Sequence, residues 1–218
     1  MPEPITMIGL GTGVVALAWN LSRKYFDYAK EVFDIAAGLF AMVLAAPVLL
    51  VCAVLIKVSS RGPVFFTQQR VGRNGRLFGM LKLRTMHHNV EAKTGAVWAS
   101  KEDPRVVPLC RWMRRSHVDE LPQLINIIKG EMSLIGPRPE RPEILAELRK
   151  KYPNIADRLR VKPGITGLAQ VRNGYDTTVE AFGHKLDADL EYIEHRKWSQ
   201  EFSIIGRTFA KFNDQSAH

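Results

Sequence analysis

The sequence predicts a mainly helical α+β protein: a re-entrant membrane helix bent at a proline, a small β-hairpin, and amphipathic interfacial helices on the cytoplasmic face. Three observations carry this expectation. Residues 35–56, IAAGLFAMVLAAPVLLVCAVLI, contain no charged side chain; the pair Asn74-Gly75 separates two apolar stretches; and beyond residue 140 apolar residues recur with helical spacing. Together they divide the chain into an apolar N-terminal extension (1–29), the membrane helix (30–58) and a polar domain at the cytoplasmic face (59–218).

The chain has 218 residues, of which 46% are hydrophobic, enough to bury a core and too many for wholesale disorder. Its 31 Lys and Arg against 22 Asp and Glu leave a net charge of +9, a field suited to phosphate-bearing partners. Cys52 and Cys110 form no metal-ligand spacing, and Cys52 lies in the apolar run. A reducing compartment without a structural disulfide fits them.

As a straight helix, residues 35–56 would extend roughly 33 Å, the thickness of a hydrocarbon core. Pro47 lacks an N–H and crowds the carbonyl of Val43, so a bend is expected there. Arg23, Lys24 and Lys30 precede the run, and Lys57, Arg61, Arg70 and Arg73 follow it, which places both ends on the cytoplasmic side. Two courses satisfy that symmetry. Either the uncharged stretch Ile5–Leu21 also spans and the two make a transmembrane hairpin, or residues 35–56 enter and leave by the same face. The proline favours the second. The opening MPEP carries an acid where a cleaved signal would carry bases.

GPVFFTQQRVGRNGRLFGMLKLRTM reads as a hairpin turning at Asn74-Gly75, with Lys82 and Arg84 on one face. Helices are expected at Glu143–Tyr152, Thr178–Trp198 and Gln200–Phe212. The last places Phe202, Ile205, Phe209 and Phe212 along one side, a stripe for core packing or for the lipid interface.

RRSHVDELPQL sets Asp119 and Glu120 side by side behind Arg111, Arg114 and Arg115. Leu121, Leu124, Ile125 and Ile128 then recur at helical spacing, with Gly130 at a capping position. Pro122 belongs in the first turn of that helix, which puts Asp119 at or beside the N-cap and Glu120 in the opening turn. Ser116 with Asp119 is an alternative capping box. Capping alone explains an aspartate here. The neighbourhood suggests more: GPRPE holds Arg138 on a stiff turn, and RVKPGITG brings Arg160 and Lys162 to another. Such cations could grip a pyrophosphate while an aspartate attacks phosphorus and its neighbour holds a divalent cation. His87, His88 and His117 suit surface or capping positions, since no second ligand stands at helical spacing. No nucleic-acid reading motif or stacking ladder is present.

KEVFD, the apolar run with its proline, GPVFFTQQRVGRNG, LKLRTM, DPR, RRSHVDELPQLINIIKGEMSLIGPRPE and KPGITGLAQV follow one another from Lys30 onward. In that order they resemble the bacterial sugar transferases, monotopic phosphoglycosyl transferases acting on polyprenyl phosphate. The resemblance implies transfer of a phosphosugar from a nucleotide-sugar donor, a UDP-sugar, to undecaprenyl phosphate at the cytoplasmic face of the bacterial inner membrane. A nucleoside monophosphate leaves, in a first membrane step of glycoconjugate or exopolysaccharide assembly. It further implies a re-entrant helix, Asp119 as a nucleophile forming a covalent phosphosugar, and Mg²⁺ (or Mn²⁺) on Glu120 with Asp119. Arg114 and Arg138 match phosphate-contacting positions. Lys82, Arg84, Arg160, Lys162 and Gln170 look like parts of the donor site, and a homo-oligomer is compatible with the pattern.

Departures are Glu31 where an arginine is common, Ala46 where some members have serine, and Glu131 for a common aspartate. The multi-span N-terminal region of larger members is absent from this sequence. The competing reading is a membrane-anchored basic scaffold for anionic lipid, without catalysis. Acids in the middle of its phosphate surface argue against it.

Overall fold

The computed structural model describes the backbone of residues 4–87, 104–173 and 182–213, and the side chains of 21–87, 104–172 and 182–211. One helix, α1 (Pro4–Ser59), runs through both apolar segments, so residues 29 and 30 lie within a single element. Pro47 deprives the Val43 carbonyl of its usual donor, yet helical structure persists on both sides of it. From Leu21 to Ser59 the helix is long and apolar enough to cross a membrane, and only 17% of its most apolar stretch is buried in the protein. Leu39, Phe40, Val43, Leu44, Leu50 and Val51 are exposed. An apolar face of this extent is what a lipid environment covers.

The other face of α1 packs on the domain. Ala45 joins Phe78, Met80, Leu124, Ile127 and Met132, while Cys52 and Ile56 join Leu83, Val107, Cys110 and Met113. Both cysteines are free and buried. Further back, Lys30 and Asp34 are buried as an i,i+4 pair at 3.3 Å. Lys30 also reaches Glu201 at 2.8 Å, Ser133 donates to Asp34 at 2.7 Å, and Tyr192 donates to Glu201 at 2.7 Å.

Strands β1 (Phe65–Val71) and β2 (Leu77–Leu83) pair antiparallel from Phe65↔Leu83 to Val71↔Leu77. Their connection uses the left-handed conformations that Asn-Gly favours, with φ of 57° at Asn74 and 77° at Gly75. After residues 88–103, which include His88 and lie outside the described residues, come α2 (Arg111–Arg115), α3 (Gln123–Ile128) and β3 (Ser133–Ile135). Then follow α4 (Pro142–Lys151), a 3-10 helix over Pro153–Arg160, β4 (Gly164–Thr166) and α5 (Leu168–Asn173). Helices α6 (Phe182–Glu194) and α7 (Trp198–Asn213) complete the chain.

The expected helix at Glu143–Tyr152 is α4. That at Thr178–Trp198 corresponds to α6, which ends at Glu194; residues 178–181 lie outside the described residues. In α7 the expected stripe divides: Ile205 packs against the core beside Ile204, while Phe202 and Phe209 stay exposed. Trp198, at the start of α7, docks on α1 edge-to-face with Phe26 and Phe33, at centroid distances of 5.4 and 5.5 Å.

The sheet that the sequence reading missed is β3 with β4, parallel, pairing Ser133↔Gly164 and Ile135↔Thr166. Backbones close here to a degree that excludes side chains. A Cβ on Gly164 would stand 2.1 Å from the Gly136 nitrogen and 2.5 Å from the Thr166 oxygen, and one on Gly136 would stand 2.4 Å from the Lys162 oxygen. Backbone atoms on both sides cannot yield. We therefore expect Gly164→Ala to destabilise by about 3 kcal/mol or more, read as a lowered unfolding midpoint in detergent. Gly206→Ala on α7, where a Cβ meets nothing within 4 Å, is the matched control and should unfold at or slightly above the parent's midpoint.

Candidate active site

The two acids occupy a 3-10 turn over Val118–Glu120, entered through His117 in the left-handed conformation with φ of 56°. This corrects the expected capping role. Helix α3 begins at Gln123 with Pro122 at its N-cap, and no side chain caps it. The reason is local: Pro122 has no N–H to offer the Val118 carbonyl, which instead accepts from Leu121 at 3.2 Å, so the turn stays 3-10 and the α-helix starts beyond the proline. Ser116 does not form the alternative box either. Its hydroxyl donates to the Trp112 and Met113 carbonyls at 2.8 and 3.3 Å, closing the end of α2.

Asp119 and Glu120 are both 8% exposed, yet their surroundings differ. Glu120 accepts from Lys82 at 2.8 Å and from both terminal nitrogens of Arg138 at 3.1 and 2.5 Å. Burial pushes its carboxyl up, but Arg138 and Lys82 outweigh burial and hold it well below the usual range. No described side chain donates to the Asp119 carboxylate. Burial, and then the neighbouring Glu120, push Asp119 up to about 6 against the pull of Lys82, Arg114 and Arg138. Arg114 is half-buried on α2 and acts on Asp119 through its field.

Convergence depends on a residue that the sequence reading did not single out. Asn126, buried in α3, accepts from the Leu81 backbone N–H at 3.0 Å and donates to the Gly79 carbonyl at 2.8 Å. It thereby pairs α3 with the free edge of β2, next to Lys82. Glu131, one carbon longer than the expected aspartate, accepts from the same Asn126 amide at 2.7 Å. A polar residue inside an otherwise apolar helical stripe, LINII, was the available signal for Asn126.

The remaining candidates lie apart from the acids or are engaged elsewhere. Arg84 is buried and donates to the Ser60 and Arg61 carbonyls at 3.0 and 2.6 Å, just beyond the end of α1. Lys162 pairs with Glu31 at 2.7 Å, the acid that stands where an arginine is common. Gln170 donates to the Ile165 carbonyl at 2.7 Å. Arg160 is exposed at the end of its 3-10 helix, and His87 is exposed as expected.

Among the described residues no group of three or more His, Cys, Asp or Glu gathers. A cation at this turn would take at most two carboxylates from the protein and the rest from phosphates and water, which is the habit of Mg²⁺. The Asp119 carboxylate fits that role, being buried and, among the described residues, without an ionic partner of its own.

Comparison with known proteins identifies the family. Residues 25–215 match the family described as bacterial sugar transferase. The chain is 42% identical to the undecaprenyl-phosphate glucose phosphotransferase of Komagataeibacter xylinus, over 78% of this chain and 32% of that protein. It is 40% identical to the UDP-glucose:undecaprenyl-phosphate glucose-1-phosphate transferase of Caulobacter vibrioides, over 86% of this chain and 71% of that protein. It is 41% identical to the UDP-N-acetylgalactosamine-undecaprenyl-phosphate N-acetylgalactosaminephosphotransferase of Aeromonas hydrophila, over 86% and 44%. The chain thus spans from about a third to less than three quarters of the length of these relatives.

The raised Asp119 carboxyl has a stability consequence. Between an unfolded value of about 4 and the folded value of about 6 the folded state binds more protons, so stability falls as pH rises through that window and levels above it. The loss is on the order of 2–3 kcal/mol. Asp119→Asn should therefore unfold at a higher midpoint than the parent at pH 7.5 in the presence of a chelator, and the gap should narrow towards pH 4. A gap independent of pH would contradict the assignment.

Proposed function

The chain belongs to the bacterial sugar transferases, and on that premise we propose that it transfers a sugar 1-phosphate from a UDP-sugar to a polyprenyl phosphate, undecaprenyl phosphate in the bacterial case. The asymmetry of the two acids is the observation that carries this reading. Glu120 is held charged by Lys82 and Arg138, while Asp119 is buried, desolvated and, among the described residues, without a bonded partner. A desolvated carboxylate among cations is a nucleophile whose attack on a phosphate those cations assist.

In the proposed reaction Arg138, Lys82 and Arg114 draw the donor's pyrophosphate to the turn. An Asp119 oxygen bonds to the phosphorus that bears the sugar, and the bond from that phosphorus to the bridging oxygen breaks, so UMP leaves with the electron pair. An oxygen of the lipid phosphate then bonds to the same phosphorus, and Asp119 departs as carboxylate, giving polyprenyl-diphosphate-sugar. No net proton is taken up. Mg²⁺ held by Asp119, Glu120 and the donor phosphates would supply charge neutralisation at the pyrophosphate.

The exposed apolar face of α1 supports a site at the inner-membrane surface, where a polyprenyl phosphate need not leave the bilayer. In this reading α1 re-enters with a bend at Pro47 and the domain lies on the cytoplasmic face. The relatives differ in the sugar that they carry, glucose or N-acetylgalactosamine, so the donor is proposed only as a UDP-sugar.

The test is UMP release from a panel of UDP-sugars with undecaprenyl phosphate, together with trapping by labelled donor in the absence of acceptor. We expect label on Asp119 after peptide mapping, and for Asp119→Asn a fall in rate of about 10³-fold or more. Full turnover by Asp119→Asn, with deamidation excluded, would remove the covalent route.

A further inference from the structure

The turn that carries Arg138 is fastened by its carbonyl oxygens. Pro137 and Pro139 have no N–H, so the turn is poor in donors of its own. Four consecutive carbonyls each meet a donor, two from the end of β1 and two from residues 158–164. The Pro137 oxygen accepts from the Gly164 N–H at 3.0 Å, and the Glu140 oxygen from the Val71 N–H at 3.0 Å. Between them, the Arg138 oxygen accepts from the Arg158 guanidinium at 3.0 Å and the Pro139 oxygen from the Arg70 guanidinium at 2.9 Å. The outer two bonds follow from strand ends. The inner two come from side chains that no sheet register demands.

Arg158 is built in for this position. It is 4% exposed, its Nε and one terminal nitrogen both lie 2.7 Å from Asp189 Oδ2, and its guanidinium stands 5.1 Å from the Phe182 ring centroid. Arg70 is steered by Gln68, which accepts from it at 2.5 Å. A planar fork can face a carboxylate on one edge and a carbonyl on another, which an ammonium cannot do from one point.

Resting on the transfer reading above, we propose that Arg158 and Arg70 are positioning residues for the reaction: by holding the Arg138 and Pro139 carbonyls they aim the Arg138 guanidinium at Glu120. Neither touches substrate. Their effect passes through Arg138, whose two bonds to Glu120 need the backbone at a fixed height above the acids. A backbone shift of about 1 Å at such a point can cost on the order of 10²-fold in rate.

The bland account is that Arg158 merely stabilises α6 through Asp189, and a double-mutant cycle separates the two. Arg158→Lys keeps a charge for Asp189 and gives up the fork. In single-turnover assays with a UDP-sugar and undecaprenyl phosphate we expect it to lose about 10- to 100-fold in the parent while its unfolding midpoint stays close to the parent's. In an Arg138→Lys background the same change should cost less than about 3-fold, because the group that it aims is already altered. Equal losses in both backgrounds, or a parental rate for Arg158→Lys, would overturn the inference. Should Arg158→Lys lower the unfolding midpoint, Arg70→Lys reads the same cycle through the Pro139 carbonyl with the same two outcomes. A parent protein that releases no UMP from any donor would sink the transfer reading and this inference with it, whereas an active parent with additive losses sinks the inference alone.

Discussion

Two adjacent carboxylates kept out of water constrain everything around them. A buried charge stripped of its partner costs about 3–5 kcal/mol, so the turn at Asp119-Glu120 is tenable only if cations arrive from elsewhere in the chain. They come from three places: Lys82 from the hairpin, Arg138 from the Pro-Arg-Pro turn and Arg114 from α2. None of these elements is large. That explains the density of polar fastening here, from Asn126 on the edge of β2 to the guanidiniums behind Arg138.

The same constraint recurs where α1 meets the domain. Lys30 and Asp34 are charges in the helix that carries the apolar run, buried against Glu201 of α7 and Ser133 of β3. Ser133 begins the strand that ends at Ile135, and Gly136 opens the turn bearing Arg138. From α1 to the site is therefore a short mechanical path of Asp34, Ser133, β3 and the turn. The close backbone contacts at Gly136 and Gly164 keep that path stiff. The placement of α1 and the height of the acids are thus linked by few bonds.

How much of this the sequence disclosed follows from the range of each interaction. The hairpin was legible because Asn74-Gly75 sets its own backbone, and α4 because ten residues carry enough helical period. The acids and their two bonded cations, Lys82 and Arg138, were named, since residue type and stiff turns signal them. The capping role failed because Pro122 shifts the helix start beyond Asp119, an effect of one missing N–H. The parallel pairing of β3 and β4 was illegible: three-residue strands have no period to read, and their partner is about thirty positions away. Sequence shows the charge of Arg84 and Lys162 and hides their partners, the Ser60 and Arg61 carbonyls for one and Glu31 for the other.

The two acids could have been interchangeable by type, and it is their surroundings that part them. Pairs of titratable groups whose environments drive their acidities in opposite directions are where different chemical roles reside. Glu120, with three donors on its oxygens, is the poorer nucleophile: most of its lone pairs are engaged and its charge is stabilised. Asp119 keeps its lone pairs and bears the penalty of burial, so its anion is the more basic of the two. Glu120 also contributes to that basicity, since its fixed negative charge is the second largest influence raising Asp119. The fastening of Arg138 therefore bears on Asp119 twice over, by holding Glu120 ionised and by adding its own positive charge close by. A turn that held Arg138 less firmly would alter the acidity of the proposed nucleophile without touching it, which is why the carbonyl contacts behind the turn belong to the chemistry as well as to the fold.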